Sequence, residues 1–268
     1  MRSTEAVESW RATARTITTT DALKSLGIVF VLVDHFGLFF LDNDLWWRLF
    51  GRTASPIFFF LIGFARSRVV PWTWLAFGIG ITVSSYLTFS GGVLTLNILL
   101  NFALLRAIVL PVVERYAIGH PWRIGLLALV CIPLIPLTDN VLEYGTEGWL
   151  WALLGLSHRM ALANGDVRSI WTRNGLAIMA SCAYTVREAW DYGFDFPQRA
   201  VLVGIVLGLT LAFVHFRRRD LPWRLPGRSA ALLHICGRYS LEIYAISLFA
   251  MQVLAYSIAH ASAVEEAP

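Results

Sequence analysis

Apolar runs recur along this chain from residue 22 to residue 259, each bounded by charged or turn-forming residues. They do not alternate apolar with polar, so they read as helices rather than barrel strands. Hydrophobic residues make up 57% of the chain and charged ones only 15%, against about 25% charged in a soluble domain. That is more apolar surface than one water-soluble core hides. The sequence therefore predicts an all-α, polytopic integral membrane protein with about nine transmembrane helices. A polar tail over 1–20 precedes a single transmembrane domain over 21–260, and a short polar tail covers 261–268.

Helices are predicted over about 22–41, 53–64, 72–89, 93–113, 123–137, 148–162, 174–186, 199–216 and 239–259, with a lead-in helix at the interface over 229–237. Thr20 or Asp21 is the expected cap of the first. Pro56 falls in the first turn of the second, where it does least harm. Pro133 and Pro136 are expected to break the far end of the fifth. Ser90-Gly91-Gly92 and the stretch holding Pro222, Pro226 and Gly227 mark turns. With the N-terminus inside, the inner loops collect Arg66, Arg68, Arg115, Arg123, Arg159, Arg168, Arg173 and the run 217–219. The outer loops collect Asp42, Asp44, Asp139, Glu143 and Asp191, and only Arg48, Arg187 and Arg199 run against the pattern. This asymmetry predicts an N-in, C-out chain. It also accounts for the net charge of +4 without a nucleic-acid partner. No internal repeat points to an inverted-repeat transporter. The first 20 residues lack an apolar core, so no cleavable signal peptide is expected. Cys131, Cys182 and Cys236 lie far apart, with neither metal-ligand spacing nor a reason to pair.

Within 21–68, Asp34, His35 and Arg52 are set into apolar sequence. A charged group at membrane depth costs about 2.5–3.5 kcal/mol on insertion scales, so such groups mark function or a structural pair. His35 lies roughly 20 Å up the first helix at 1.5 Å per residue, where an imidazole can serve as general base to a hydroxyl or amine attacking a thioester. Its bland alternative is a core histidine bonded to a neighbouring helix. Asp34 is about 100° around the helix from His35, so it is a poor orienter of that imidazole and a better partner for Arg52. Lys24, eleven residues before His35, returns to the same face at the inner end. With Arg66 and Arg68 it forms a possible cationic mouth for the phosphates of a cytosolic donor, although each alone reads as a boundary cation. Arg106 is deeper than an interface residue and is a further donor-binding candidate. Asn97 and Asn101, four residues apart, either glue helices or bind substrate, and Tyr144 joins them as a substrate-binding candidate. His158 and Arg159 read as snorkelling residues, and Arg238 and Glu242 as an i, i+4 pair. No phosphate loop, dinucleotide turn, metalloprotease helix or nucleophile elbow occurs, and no metal is expected.

These residues resemble the TraX family. The resemblance lies in Asp21-Ala22-Leu23-Lys24, Leu32-Val33-Asp34-His35, and Gly51-Arg52 with Pro56-Ile57-Phe58, and is supported by Asn97-Ile98-Leu99 and Glu143-Tyr144-Gly145 with Gly148. It extends over about 21–257, and its specificity lies in 21–68. TraX-like proteins are membrane acetyltransferases, the best known of which acetylate the N-terminus of a conjugative pilin. The resemblance implies acetyl-CoA as donor, a bacterial inner-membrane location, and catalysis by His35 with Asp34 and Arg52 in support. The acceptor it implies is a small membrane protein such as a pilin, with an envelope glycan hydroxyl second. One departure is Ser247, where the family's final helix often carries a histidine after Y-x-x. Two other readings of the same residues are a transporter or channel using Asp34, His35 and Arg52 as an ion path, and a non-catalytic scaffold.

Overall fold

The computed structural model describes residues 17–88, 95–221 and 227–265, so the first 16 residues, the turn at 90–92 and the prolines 222 and 226 lie outside the described residues. In chain order the helices are α1 (Thr19–Phe40), α2 (Leu45–Arg52), α3 (Ala54–Phe64), α4 (Trp72–Thr88), α5 (Ile98–Leu104), α6 (Leu110–Ala117), α7 (Trp122–Thr138), α8 (Gly145–Asn164), α9 (Val167–Asp191), α10 (Phe196–Val214), α11 (Gly227–Arg238) and α12 (Ser240–Glu265). A π-helical turn, Leu105–Val109, joins α5 to α6.

Helix α1 starts in a capping box. Thr18 Oγ1 accepts the Asp21 N–H at 3.2 Å, and Asp21 Oδ2 accepts the Thr18 N–H at 3.0 Å. The cap is thus Thr18, with Asp21 as its reciprocal partner, and neither Thr20 nor Asp21 caps as expected. After α1, Asp42 and Asn43 take positive φ, which such short polar residues tolerate. Asp44 Oδ1 then caps α2 by accepting the Trp46 N–H at 2.8 Å.

The predicted second helix, 53–64, is found as α3 behind the separate helix α2, but its 11 residues span only about 16 Å at 1.5 Å per residue, half of a hydrocarbon core. Ten of those residues are buried. A helix apolar all round is one enclosed on all sides, and here protein does the enclosing. A Cβ on Gly63 would run into the Ala152 carbonyl, one on Gly155 into the Phe60 carbonyl, and one on Gly148 into the Phe59 ring. Small residues at these crossings let α3 and α8 approach backbone to backbone.

The predicted fourth helix, 93–113, is found over 98–117 with a π turn inside it. Asn97 caps α5 through Oδ1, accepting from Leu99 N at 3.0 Å and Leu100 N at 3.2 Å. Pro111, which has no N–H to donate, follows the π turn. In contrast, Pro133 and Pro136 do not end α7, which runs to Thr138. Thr146 Oγ1 donates to Cys131 O at 2.8 Å and Thr138 Oγ1 to Leu134 O at 3.0 Å along that stretch. Helix α9 is longer than predicted, at 25 residues.

Three helices are long and apolar enough to cross a membrane: α1, α10 and α12 over Ser240–Ile258. Trp72–Ser84 and Trp122–Thr138 are shorter apolar helices. The count of nine is therefore corrected to three among the described residues. Apolar sequence packed inside protein and apolar sequence facing lipid look alike in a hydropathy pattern, and α3 is the clearest instance. The arginines that ran against the charge asymmetry are taken up internally. Arg48 pairs with Asp34, Arg187 with Asp139, Glu147 and Asp191, and Arg199 Nε donates to Phe194 O at 2.5 Å.

Candidate active site

Helices α1 and α2 lie against each other because glycines remove the side chains between them. A Cβ on Gly51 would overlap the Asp34 backbone, and one on Gly37 would overlap Trp47. This register brings Arg48 onto Asp34: Arg48 Nη1 is 2.9 Å from Asp34 Oδ2 and donates to Asp34 O at 3.3 Å. Arg52, one turn later, points elsewhere. Its Nη1 donates to the Tyr144 hydroxyl at 2.6 Å, its Nε is 3.6 Å from Glu188 Oε2, and its guanidinium lies 5.1 Å from the Tyr192 ring centroid. The expected Asp34–Arg52 pair is thus replaced by Asp34–Arg48, because the helix break at Thr53 puts both arginines on α2, four residues apart, with Arg48 at the height of Asp34.

Helix α9 supplies residues the sequence reading passed over. Tyr184, Glu188 and Tyr192 recur every four residues, a spacing that places them on one face. The Tyr184 hydroxyl donates to Arg52 O at 2.8 Å, and the Tyr192 hydroxyl accepts from Arg48 Nη2 at 3.0 Å. That spacing within a polar stretch was the available signal.

His35 is buried, with its ring centroid 5.6 Å from that of Tyr244 and 6.4 Å from Phe39. Its Nδ1 has no hydrogen-bond partner, and neither has Asp34 Oδ1. Both residues line a small cavity of about 30 Å³, together with Glu143, Tyr144 and Tyr244. Burial in the loop before α8 raises the Glu143 carboxyl and the Tyr144 phenol above their ordinary ranges. His158 is a different case. It does not snorkel: it is 1% exposed, sits against Phe60 and Phe64, and bonds Phe216 O through Nε2 at 2.7 Å. Ser247 donates to Tyr244 O in its own helix at 2.9 Å.

A second cavity of about 850 Å³ opens at the end where α1 and α12 both begin. Lys24, Arg66, Arg106, Arg159, Arg218 and Arg238 line it, with Glu242 as its carboxylate. Lys24 Nζ donates to Gly237 O at 2.9 Å, which ties α1 to the end of α11. Arg106 Nε donates to Ser67 O at 3.0 Å, and its guanidinium lies 5.1 Å from the Trp74 ring centroid. Arg68, the third member of the expected mouth, does not line this cavity. It pairs with Glu114 at 2.7 Å, and Arg159 pairs with the same carboxylate. Arg238 and Glu242 form no ion pair. Arg238 ends α11 and Glu242 lies in α12, so the four-residue rule for one helix does not hold across that junction. Glu242 accepts instead from Thr73 Oγ1 at 3.1 Å.

The polar side chains of Asn97 and Asn101 are occupied within the protein. Asn97 Nδ2 donates to Gly78 O at 2.5 Å and to Thr82 Oγ1 at 3.1 Å. Asn101 Nδ2 donates to Glu143 O at 2.9 Å, and its Oδ1 accepts from Trp149 Nε1 at 2.8 Å. The Asn97 bonds fix the start of α5 against α4, and the Asn101 bonds hold the loop carrying Glu143 and Tyr144 over the small cavity.

A family model described as TraX protein matches residues 19–192 of the 268. The chain belongs to the TraX family. Comparison with curated proteins and with solved structures found no match. The TraX match spans α1 to α9 and ends at Tyr192, so it takes in His35, the Asp34–Arg48 pair and the surroundings of Arg52. Arg218, Arg238, Leu241, Glu242 and Tyr244 of the cavity walls come from beyond it. TraX membership supports an acyltransferase-type activity, and with the apolar helices it makes this a membrane-associated protein.

Proposed function

We propose that this TraX protein is an integral-membrane acetyltransferase that moves acetyl from cytosolic acetyl-CoA to an acceptor at the membrane, namely the N-terminal amine of a small membrane protein such as a pilin. The observation that carries this reading is the position of His35. Its unpartnered Nδ1 belongs to a residue lining a small chamber that abuts a large cation-lined cavity.

The larger cavity suits the donor's phosphates. Six cationic side chains face one carboxylate there, and guanidinium groups bind phosphate oxygens in bidentate fashion. Lys24, Arg66 and Arg106 keep the donor-binding role proposed for them, while Arg68 supports Arg159 through Glu114. The thioester end of the donor lies toward His35, which takes the proton from the attacking amine. Arg52 acts through Tyr144: by donating to the phenol oxygen it leaves the Tyr144 proton free for the carbonyl oxygen that becomes negative. Asp34, paired with Arg48, fixes α2 beside His35. Asn101 frames the chamber through the loop it holds, and Asn97 does so by fixing α5 against α4.

The cation-rich end faces the cytosol of a bacterial inner membrane. Both α1 and α12 start at that end and run away from it, which fits an N-in, C-out chain. An envelope glycan hydroxyl is the second acceptor within the same chemistry.

The test is transfer of labelled acetyl from acetyl-CoA to envelope proteins by the purified chain. His35→Ala is expected to lower transfer about 10²–10⁴-fold while leaving the melting temperature unchanged. Equal transfer by wild type and variant would sink the mechanism.

A further inference from the structure

The two cavities have two lining residues in common, Phe58 of α3 and Leu241 of α12. These two side chains are the wall that the cation-lined side shares with the chamber of His35. Both are buried, at 5% and 6% exposure.

Phe58 is braced by α1. A Cβ on Gly27 of α1 would lie only 3.0 Å from Phe58 Cε2 and Cζ, so the tip of the ring already rests on the α1 backbone. On another side the Phe102 ring centroid is 6.5 Å away. Neighbouring Phe59 and Phe60 are fully buried, so α3 has little room to shift. A ring fixed in this way does not swing aside as a gate would.

The chamber beyond Phe58 holds about 30 Å³. The cation-lined cavity on the other side of Phe58 holds about 850 Å³, so this wall stands between a wide space and a narrow one that suits a short acyl group.

From these observations, and resting on the acetyl-CoA reading above, we infer that Phe58, backed by Gly27, is the residue that keeps the transferred acyl group short. It is a specificity-determining wall and takes no part in the chemistry. A longer chain would have to displace a ring that the core holds in place, or remain with its thioester short of His35. Leu241 closes the opposite side with a smaller, aliphatic surface.

The experiment measures binding of CoA and of its inert S-ethyl, S-propyl, S-butyl and S-hexyl thioethers to the purified full-length chain by calorimetry. No acceptor is needed. Wild type is expected to bind S-ethyl-CoA at least as tightly as CoA, and S-butyl-CoA about tenfold more weakly than S-ethyl-CoA. In Phe58→Ala the order inverts, with affinity rising about fourfold for each methylene that now finds space. Phe58→Leu, a milder change, is expected to move the optimum to S-propyl-CoA. A single cooperative melting transition and unchanged elution in detergent for all three proteins show that the variants fold. A chain-length profile that is flat in wild type, or identical in wild type and both variants, would overturn the inference and leave the donor reading standing. Failure of wild type to bind CoA or any of the thioethers would overturn both.

Discussion

Arg48, not Arg52, is the partner of Asp34, at 2.9 Å between Nη1 and Oδ2 with both side chains buried. Arg52 instead bridges Tyr144 and Glu188, so α2 ties α1 to α9 through two arginines one turn apart. Removing one member of a buried pair leaves an uncompensated charge and costs about 3–5 kcal/mol. Arg48→Ala should therefore lower thermal stability strongly, and Asp34→Asn in the same chain should recover most of the loss. Arg52→Ala should gain nothing from Asp34→Asn but should gain from Glu188→Gln. Melting curves of the purified variants in one detergent decide between the two pairings.

The crossing of α3 and α8 depends on glycine at Gly63 and Gly155, whose missing side chains would meet backbone atoms. Backbone does not give way as a flexible side chain does. Gly63→Ala is expected to cost about 1–3 kcal/mol through overpacking, and Gly63→Leu to prevent accumulation of folded protein. At Gly125, where a Cβ meets nothing within 4 Å, alanine should be neutral to mildly stabilising. The comparison is read from melting temperature and membrane yield.

Asn101 bonds Glu143 O and Trp149 Nε1 and is fully buried. Asn101→Leu leaves those partners unsatisfied, at about 1–3 kcal/mol for each such group. Stability and maximal rate should fall, since the Glu143–Tyr144 loop loosens, while the KM for acetyl-CoA stays within about twofold of wild type. A large rise in KM with stability intact would instead make Asn101 a donor-binding residue.

Arg66 and Arg106 line the cation-rich cavity, whereas Arg68 lies behind it on Glu114. Arg66→Ala and Arg106→Ala should raise the KM for acetyl-CoA several-fold with kcat little changed, the signature of lost uniform binding. Added salt should raise the wild-type KM in the same direction. Arg68→Ala should act mainly on stability, through Glu114. Steady-state kinetics at two ionic strengths test all three.

Much of this was legible beforehand. The hairpin 21–68 was singled out because polar groups in apolar sequence are costly, and those groups do meet other elements of the fold. Of the cations expected at one end, Lys24 and Arg66 line one cavity and Arg68 does not, while Arg106, read as deeper than an interface residue, lines that cavity as well. The partners of Arg52 were not seen, although Tyr184, Glu188 and Tyr192 repeat at helical spacing. Which turn of α9 faces α2 depends on how the helices pack, and no local pattern states it. The span count failed for a related reason. Phe58, Phe59 and Phe60 look like lipid-facing residues in sequence, but Phe58 rests on α1 and α5, Phe59 on α5 and α8, and Phe60 on α8 and α10.

Sequence alone determined the helical class, the family, the cation-rich end and the residues too polar for their surroundings. The family follows from the resemblance of its motifs, and the rest from composition, periodicity or the cost of charge in an apolar medium, which act locally along the chain. Only the tertiary structure decided that Arg48 takes Asp34, that α3 is a core helix, and that Phe58 and Leu241 stand between the cation-lined cavity and His35. These are relations between segments far apart in the chain, fixed by where glycines let backbones touch and where side-chain volume keeps them apart.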